Sequence, residues 1–292
     1  MRRPGFTLVE LLIALGCASV LFAVTASIAL RQQRLFVELA DNAAVTARLR
    51  EVTATLPIDL RAVSPTAGDI RDARDTALEV RATIASAVVC DTAGRSIILG
   101  PSLPGAQTFA NYLTTLAPSD TAWLLDPADT VERWIPRKVT SVSFTPTSRC
   151  GRGTLVAAGP FSATTLALDT LAPAHPGTVL RVTRPIRYSL YRASDGSWQL
   201  GARDWNSSTL RLNGVQPVAG PLLSPSSRGL GFSYLDSSGR ALSSPGDSTA
   251  GLALIRIVAR AQGAAPVRLL GAQSALGRTD SLDAAVFLHN RR

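Results

Sequence analysis

Between Phe6 and Leu30 the chain runs for 25 residues without a Lys, Arg or Asp, and Glu10 is the one carboxylate inside that run. At about 1.5 Å per residue, a helix of that length reaches roughly 37 Å, more than the ~30 Å hydrocarbon core of a bilayer. The segment is long enough to span a membrane. It is too long for a cleaved secretory signal, whose apolar stretch covers about 7 to 15 residues before a small-residue cleavage site. Arg2 and Arg3 precede it and Arg31 and Arg34 follow it, so flanking charge alone does not set its orientation. An ordinary anchor gives no reason to keep Glu10. An ionisable group within a span is costly and points to function, with a cation at the same depth as its expected partner.

The residues around that carboxylate, Gly5-Phe6-Thr7-Leu8-Val9-Glu10-Leu11-Leu12-Ile13-Ala14-Leu15, closely resemble the processing motif of type IV prepilins and type II secretion pseudopilins. The resemblance implies that a short basic leader, residues 1–5, is cut after Gly5 on the cytoplasmic side by a prepilin peptidase. Phe6 would then become the N-methylated first residue. It further implies that Glu10 pairs with the N-terminal ammonium of Phe6 in a neighbouring subunit and so sets subunit register. Looser similarity in the tail, at Tyr188 to Arg192, Gly229 to Tyr234, Leu252 to Val258 and Leu288 to Arg291, resembles PilW-type minor pilins.

Beyond the leader, residues 6–30 read as a transmembrane or filament-core helix and residues 31–56 as its amphipathic continuation. Leu35, Leu39, Val45, Leu49, Val52 and Leu56 recur mostly three or four positions apart, which predicts one helix from about residue 6 to 55, ended by Pro57. Its apolar stripe is expected to dock on a globular domain, residues 57–292, lying outside the cytoplasm. That remainder is rich in Pro, Gly, Ser and Thr. Short apolar runs at 76–89, 96–99, 139–145, 154–158, 179–192, 197–204, 230–235 and 252–261 predict strands. Ser194-Asp195-Gly196 marks a hairpin turn and Asp236-Ser237-Ser238-Gly239 a second one. Pro185, inside the longest run, predicts a sheet edge or a break. The Ser/Pro-rich stretches 221–228 and 243–249 read as exposed loops. The expected class is α+β, a long N-terminal helix packed on a mainly antiparallel sheet, which agrees with a pilin-like fold.

Three cysteines are present. Cys17 falls in the apolar helix as a small side chain. Cys90 and Cys150 fall in the domain that the motif sends across the membrane, where an oxidising compartment permits a disulfide between them; two separate buried thiols are the other arrangement. His175 and His289 stand far apart with no ligand array around them, so no metal and no cofactor is expected. Gly246 to Gly251 superficially resembles a hydrolase serine loop, but no histidine is placed to act as its base. No phosphate-binding glycine motif is present, so energy for assembly would come from a separate ATPase machinery.

The formal charge of +9 rests on 30 basic residues, of which only Lys138 is a lysine. Loss of Arg2 and Arg3 with the leader would reduce it to +7. The arginines are dispersed and aromatics make up 5% of the chain, so no base-stacking groove is visible. DNA or an anionic surface polymer remains a secondary partner. With 46% hydrophobic against 17% charged residues, the chain is not a disordered charged tail. The sequence thus predicts a non-enzymatic minor pilin or pseudopilin, single-pass in the inner membrane, joining other pilins in a filament or its initiating tip. The bulk of the domain argues against a major subunit. A type II secretion pseudopilin of the J-like group and a tip adhesin or DNA-uptake subunit are the alternatives.

Overall fold

The structure, a computed structural model, describes residues 7–101, 109–126, 133–148, 150, 161–171, 173–242, 251–269 and 272–288. The expected strand at 154–158 and the expected loop at 243–249 lie outside these residues. The chain divides into two compact units, Met1–Arg48 with Ala261–Asp280, and Leu49–Arg260 with Ser281–Arg292.

Helix α1 runs from Leu8 to Arg61, 54 residues, or about 80 Å at the standard rise. Pro57 lies inside it and does not end it, contrary to the expected stop. An interior proline removes one amide donor and crowds the preceding turn, at about 3 kcal/mol. Against that, Leu56 and Leu60 are both fully buried, each contributing about 1.5–3 kcal/mol, and the Asp59 carboxylate accepts the Tyr188 hydroxyl. Packing therefore carries the helix one turn past the proline. The apolar stripe also divides differently from expectation. Val45, Leu49, Val52 and Leu56 are buried, whereas Leu35 and Leu39 stay more than half exposed and continue the open apolar surface of the preceding turns.

In the larger unit the strands are β1 (Ile70–Ala73), β2 (Ala77–Ala93), β3 (Ser96–Leu99), β4 (Ala110–Tyr112), β5 (Thr121–Asp126), β6 (Arg133–Ser148), β7 (Phe161–Leu168), β8 (Val179–Arg192), β9 (Trp198–Asn206), β10 (Arg211–Leu212), β11 (Gln216–Leu222) and β12 (Leu230–Leu235). Two more, β13 (Leu254–Leu269) and β14 (Ala272–Phe287), are shared between the units. The ladders are antiparallel. The larger sheet follows the order β1-β2-β3-β7-β6-β5-β8-β9-β10, with β4 on β2 and β11 on β9.

Because β2 also pairs with β8, strands β2, β3, β7, β6, β5 and β8 close into a ring. Two long strands make its corners. Residues 77–88 of β2 lie against β8 and residues 89–93 against β3, with register shifts at Thr83/Ala85 and Val89/Asp91. Likewise residues 133–138 of β6 pair with β5 and residues 139–148 with β7, with a shift at Val139/Ser141. Such irregularities bend a strand so that it can serve two sheet directions. Ile84, Val89, Ile97, Leu99, Leu124, Val139, Leu166, Leu180 and Val182 pack together as the buried core of the ring. A ring this small is filled by side chains and encloses no channel.

Pro185 faces Arg81 of β2 on one side of β8. On the other side β5 covers residues 180–183 and β9 begins at Ile186, so the proline occupies the changeover between two neighbours. That local break is what a residue without an amide proton requires. The β8–β9 hairpin turns where expected, with Gly196 at φ +85° and the Asp195 Oδ1 accepting the Ser197 amide at 2.9 Å. Asp236 builds the same turn with Ser238 at 2.8 Å, although beyond it a single bridge, Leu235 to Ala241, stands in place of a strand. The stretch 221–228 contains the end of β11 and a short 3-10 turn, Pro225–Ser227. Strands β12, β13 and β14 form the second sheet. In the smaller unit, the Ala264 amide donates to Asp41 Oδ1 at 3.0 Å, and a Cβ on Gly263 would come within 2.1 Å of Asp41 Oδ2.

Candidate functional site

Thr7 and Glu10 cap the start of α1 reciprocally. The Thr7 amide and hydroxyl both donate to Glu10 Oε2 at 3.0 Å, and the Glu10 amide donates back to Thr7 Oγ1 at 3.3 Å. This is the capping box that Thr-x-x-Glu spacing specifies, and it satisfies amide donors that a helix start otherwise leaves orphaned. The first intrahelical bond, Leu11 amide to Thr7 carbonyl at 3.2 Å, follows from it. Thr7 is the functional residue that the sequence reading passed over, although the four-residue pattern was there to signal it. Among the described residues Glu10 Oε1 accepts no hydrogen bond. Gly5 and Phe6 lie outside the described residues.

Past this cap the helix presents apolar side chains to every side. Leu8, Leu11, Leu12, Ile13, Leu15 and Phe22 are all more than half exposed. An 18-residue window reaches a mean hydropathy of 2.4 with none of it buried. The hydroxyls in the segment do not interrupt that surface. Ser19 bonds back to the Gly16 carbonyl, Thr25 to Leu21 and Phe22, and Ser27 to Val24, at 2.8–3.0 Å, so their polar groups are satisfied within the helix. Helical backbone with internally satisfied polar groups is what hydrocarbon admits. Cys17 is a free, exposed thiol on it.

A family model described as the prokaryotic N-terminal methylation motif matches residues 1–26, the stretch that holds the leader, Thr7, Glu10 and most of the apolar helix. Over these residues the chain is type IV prepilin-like. A motif of this kind implies processing by a prepilin peptidase and assembly with other pilins, and it points to a structural family, not an enzyme. Together with the one helix among the described residues that is long and apolar enough to cross a membrane, it fits a membrane-anchored pilin. No curated protein and no solved structure matches the chain.

In this prepilin-like chain the two domain cysteines meet. Cys90 and Cys150 are joined by a disulfide, with their Cα atoms 4.8 Å apart across 60 positions of sequence. Cys90 lies on β2, packed with Ala163 and beside Ile98. His175 sits in a turn, its amide donating to Thr178 Oγ1 at 3.1 Å. His289 and residues 243–250, including most of the serine loop, lie outside the described residues. Among the described residues no three His, Cys, Asp or Glu side chains are grouped so as to hold a metal.

The dispersed arginines take on a pattern only in three dimensions. Arg181, Arg184 and Arg187 on β8 reach Asp69, Asp120, and Asp72 with Glu79, respectively. Arg184 is bidentate, Nε and Nη2 donating to Asp120 Oδ1 and Oδ2 at 2.7 and 2.8 Å. Asp69 is fully buried; its Oδ2 accepts Arg181 Nη1 at 2.7 Å and the Ser64 amide at 2.8 Å. Burial pushes the Asp69 carboxyl above its ordinary value, with the Arg181 charge pulling the other way. The Arg181 guanidinium carbon lies 5.3 Å from the Trp123 ring centre and 5.5 Å from that of Trp134. Nothing in the spacing of these residues signals the arrangement. It consumes part of the positive charge internally and leaves less for a nucleic-acid face.

Proposed function

We propose that the protein is a minor pilin or pseudopilin, cleaved after Gly5, methylated on Phe6 and added to a filament or its initiating tip with other pilins. The observation that carries the reading is the sole carboxylate of the apolar run 6–30, Glu10, standing in the first turn of α1 within the methylation motif. In the isolated subunit Thr7 occupies one of its oxygens. In the filament the new ammonium of Phe6 in a neighbouring subunit would replace or join Thr7, giving a matched ion pair in low dielectric. Ion pairs there depend on both partners being present, so the contact favours one subunit register. The size of the domain supports a minor over a major subunit. The compartment outside the cytoplasm is consistent with the Cys90–Cys150 bridge.

Mass spectrometry of the protein isolated from membranes tests the processing. The expected N-terminal peptide begins with N-methylated Phe6; an intact leader, or cleavage near residue 26, contradicts the reading. Replacing Glu10 with Leu should leave membrane insertion intact while the subunit disappears from sheared filaments. Unchanged recovery in filaments would remove the role assigned to Glu10.

A further inference from the structure

A cleft of about 340 Å³ opens at one end of the ring, lined by Tyr112, Thr114, Thr115, Leu116, Phe144 and Thr164. Tyr112 on β4 and Leu116 in the turn beyond it pack against the ring's core. Phe144 on β6 stands opposite Thr164 on β7. Val142 also packs against the core, and Phe144, two positions further along the strand, lies on the same face. It is 72% exposed there, where the core ends. The mouth of a closed sheet is a common place for a ligand, and this volume falls within the roughly 300 to 1,000 Å³ of small-molecule sites.

The wall is held in place by the fold itself. Tyr112 pairs with Ala85 of β2, and the Leu113 amide donates to the Ile84 carbonyl at 2.9 Å. Arg184, gripped by Asp120, donates from Nη2 to the Thr115 carbonyl at 2.8 Å, and Asp120 Oδ2 accepts the Ala117 amide at 2.8 Å. Thr164 is buried and hydrogen-bonds the Tyr112 side chain, whose hydroxyl burial keeps above the ordinary phenol pKa and so neutral. Such preorganisation lowers the cost of binding. The lining then selects the occupant. Its described residues carry no charged side chain, so an entering ion would lose hydration with nothing to replace it, and the phosphates of a nucleic acid would find no cation. Phe144, Tyr112 and Leu116 supply apolar surface, while the hydroxyls of Tyr112, Thr114 and Thr115 can both donate and accept. Phe144, Thr114 and Thr115 are exposed, so the occupant keeps one side in water, where a wholly apolar molecule would be poorly solvated. An uncharged molecule with one apolar face and a rim of hydroxyls meets these conditions, and a pyranose ring is such a molecule.

We propose that this cleft binds a neutral saccharide, the C–H face of a sugar ring lying on Phe144 and its hydroxyls bonding Tyr112, Thr114 and Thr115. The inference does not depend on the filament reading above. The test titrates the full chain, in nanodiscs of zwitterionic lipid, with neutral tetrasaccharides of glucose, galactose, mannose and N-acetylglucosamine, followed by saturation-transfer NMR. Tetragalacturonate serves as the charged comparison and cyclohexanol as a ring with a single hydroxyl. At least one neutral tetrasaccharide should bind saturably at millimolar concentration or below, with transfer strongest to its ring C–H protons. Phe144→Ala should weaken that binding about tenfold, as expected for losing an aromatic contact, and Phe144→Trp should retain it. The side chain is exposed, so an unchanged Tm will accompany the loss. Thr115→Val, which keeps the shape and removes the hydroxyl, should weaken it several-fold. No saturable binding of any of the four neutral tetrasaccharides, or indifference to Phe144→Ala, overturns the proposal. So does tighter binding of tetragalacturonate than of its neutral galactose counterpart, which would make this an anion site. Displacement of the bound sugar by cyclohexanol at lower concentration than the sugar itself also overturns it, reassigning the cleft to apolar ligands.

Discussion

Replacing Arg181 with Met should destabilise the larger unit severely, and the structure sets the scale. Asp69 is fully buried and, among the described residues, forms its ion pair with Arg181 at 2.7 Å. Among the described residues its second oxygen, Oδ1, already lacks a hydrogen bond. Stranding such a carboxylate costs about 3–5 kcal/mol, and the lost contacts with Trp123 and Trp134 add about 0.5–1 kcal/mol each. In a unit of this size the total, about 4–7 kcal/mol, corresponds to a fall in Tm of about 8–28 °C, readable by far-ultraviolet circular dichroism of the full chain in detergent. The double variant Asp69→Leu with Arg181→Met should recover most of the loss, because a buried pair replaced by apolar side chains is often neutral. The pH dependence has a defined sign. Burial raises the folded-state pKa of Asp69 above its unfolded value, so its contribution is complete below the unfolded value and is lost as pH rises through the folded one. Without Arg181 that rise is larger, and the deficit of Arg181→Met should be smallest near about pH 4 and grow toward neutrality. A single variant within about 1 kcal/mol of the parent, or a double variant as unstable as the single, would refute the reasoning.

Cys150→Ser opens a bridge spanning 60 positions and should cost about 4 kcal/mol in the chain-entropy account, measured as a lowered urea midpoint under oxidising conditions and no difference under reducing ones. Leu56→Ala, at a fully buried site, should cost about 2–5 kcal/mol, whereas Leu35→Ala, more than half exposed, should leave the monomer within about 0.5 kcal/mol; comparable losses at the two positions would contradict the division of the stripe.

What could be read from the chain depended on whether the signal was local. The helix, the strands at 96–99, 179–192 and 230–235, and the turns at Asp195 and Asp236 are written in adjacent residues, and they stand at or near the observed bounds. β11 contains Pro217, Gly220 and Pro221 and holds to β9 only through repeated register shifts, so strand propensity argues against it. β14 carries little alternation of its own and takes its place beside β13. Closure of the ring is the least local feature, because it joins β2 to β8 across about a hundred residues and turns on irregularities at Thr83 and Val89 that no sequence period marks.

The same distinction governs the functional residues. Glu10 is conspicuous because its surroundings are uniformly apolar, and Thr7 is conspicuous once the three-residue step between them is seen as a capping pattern. Arg181 and Asp69 are separated by more than a hundred positions, as are Arg187 and Asp72, and no local pattern brings either pair together. The excess of arginine therefore bears on two separate things. On β8, Arg181 and Arg184 pair with Asp69 and Asp120, carboxylates that the fold buries, so there the charge is matched internally. At Arg228 and Arg260 it faces a cleft whose described lining holds one carboxylate, Asp75, so there the charge is not matched one for one. Net charge sums these two populations, which is why +9 by itself says little about what the surface binds.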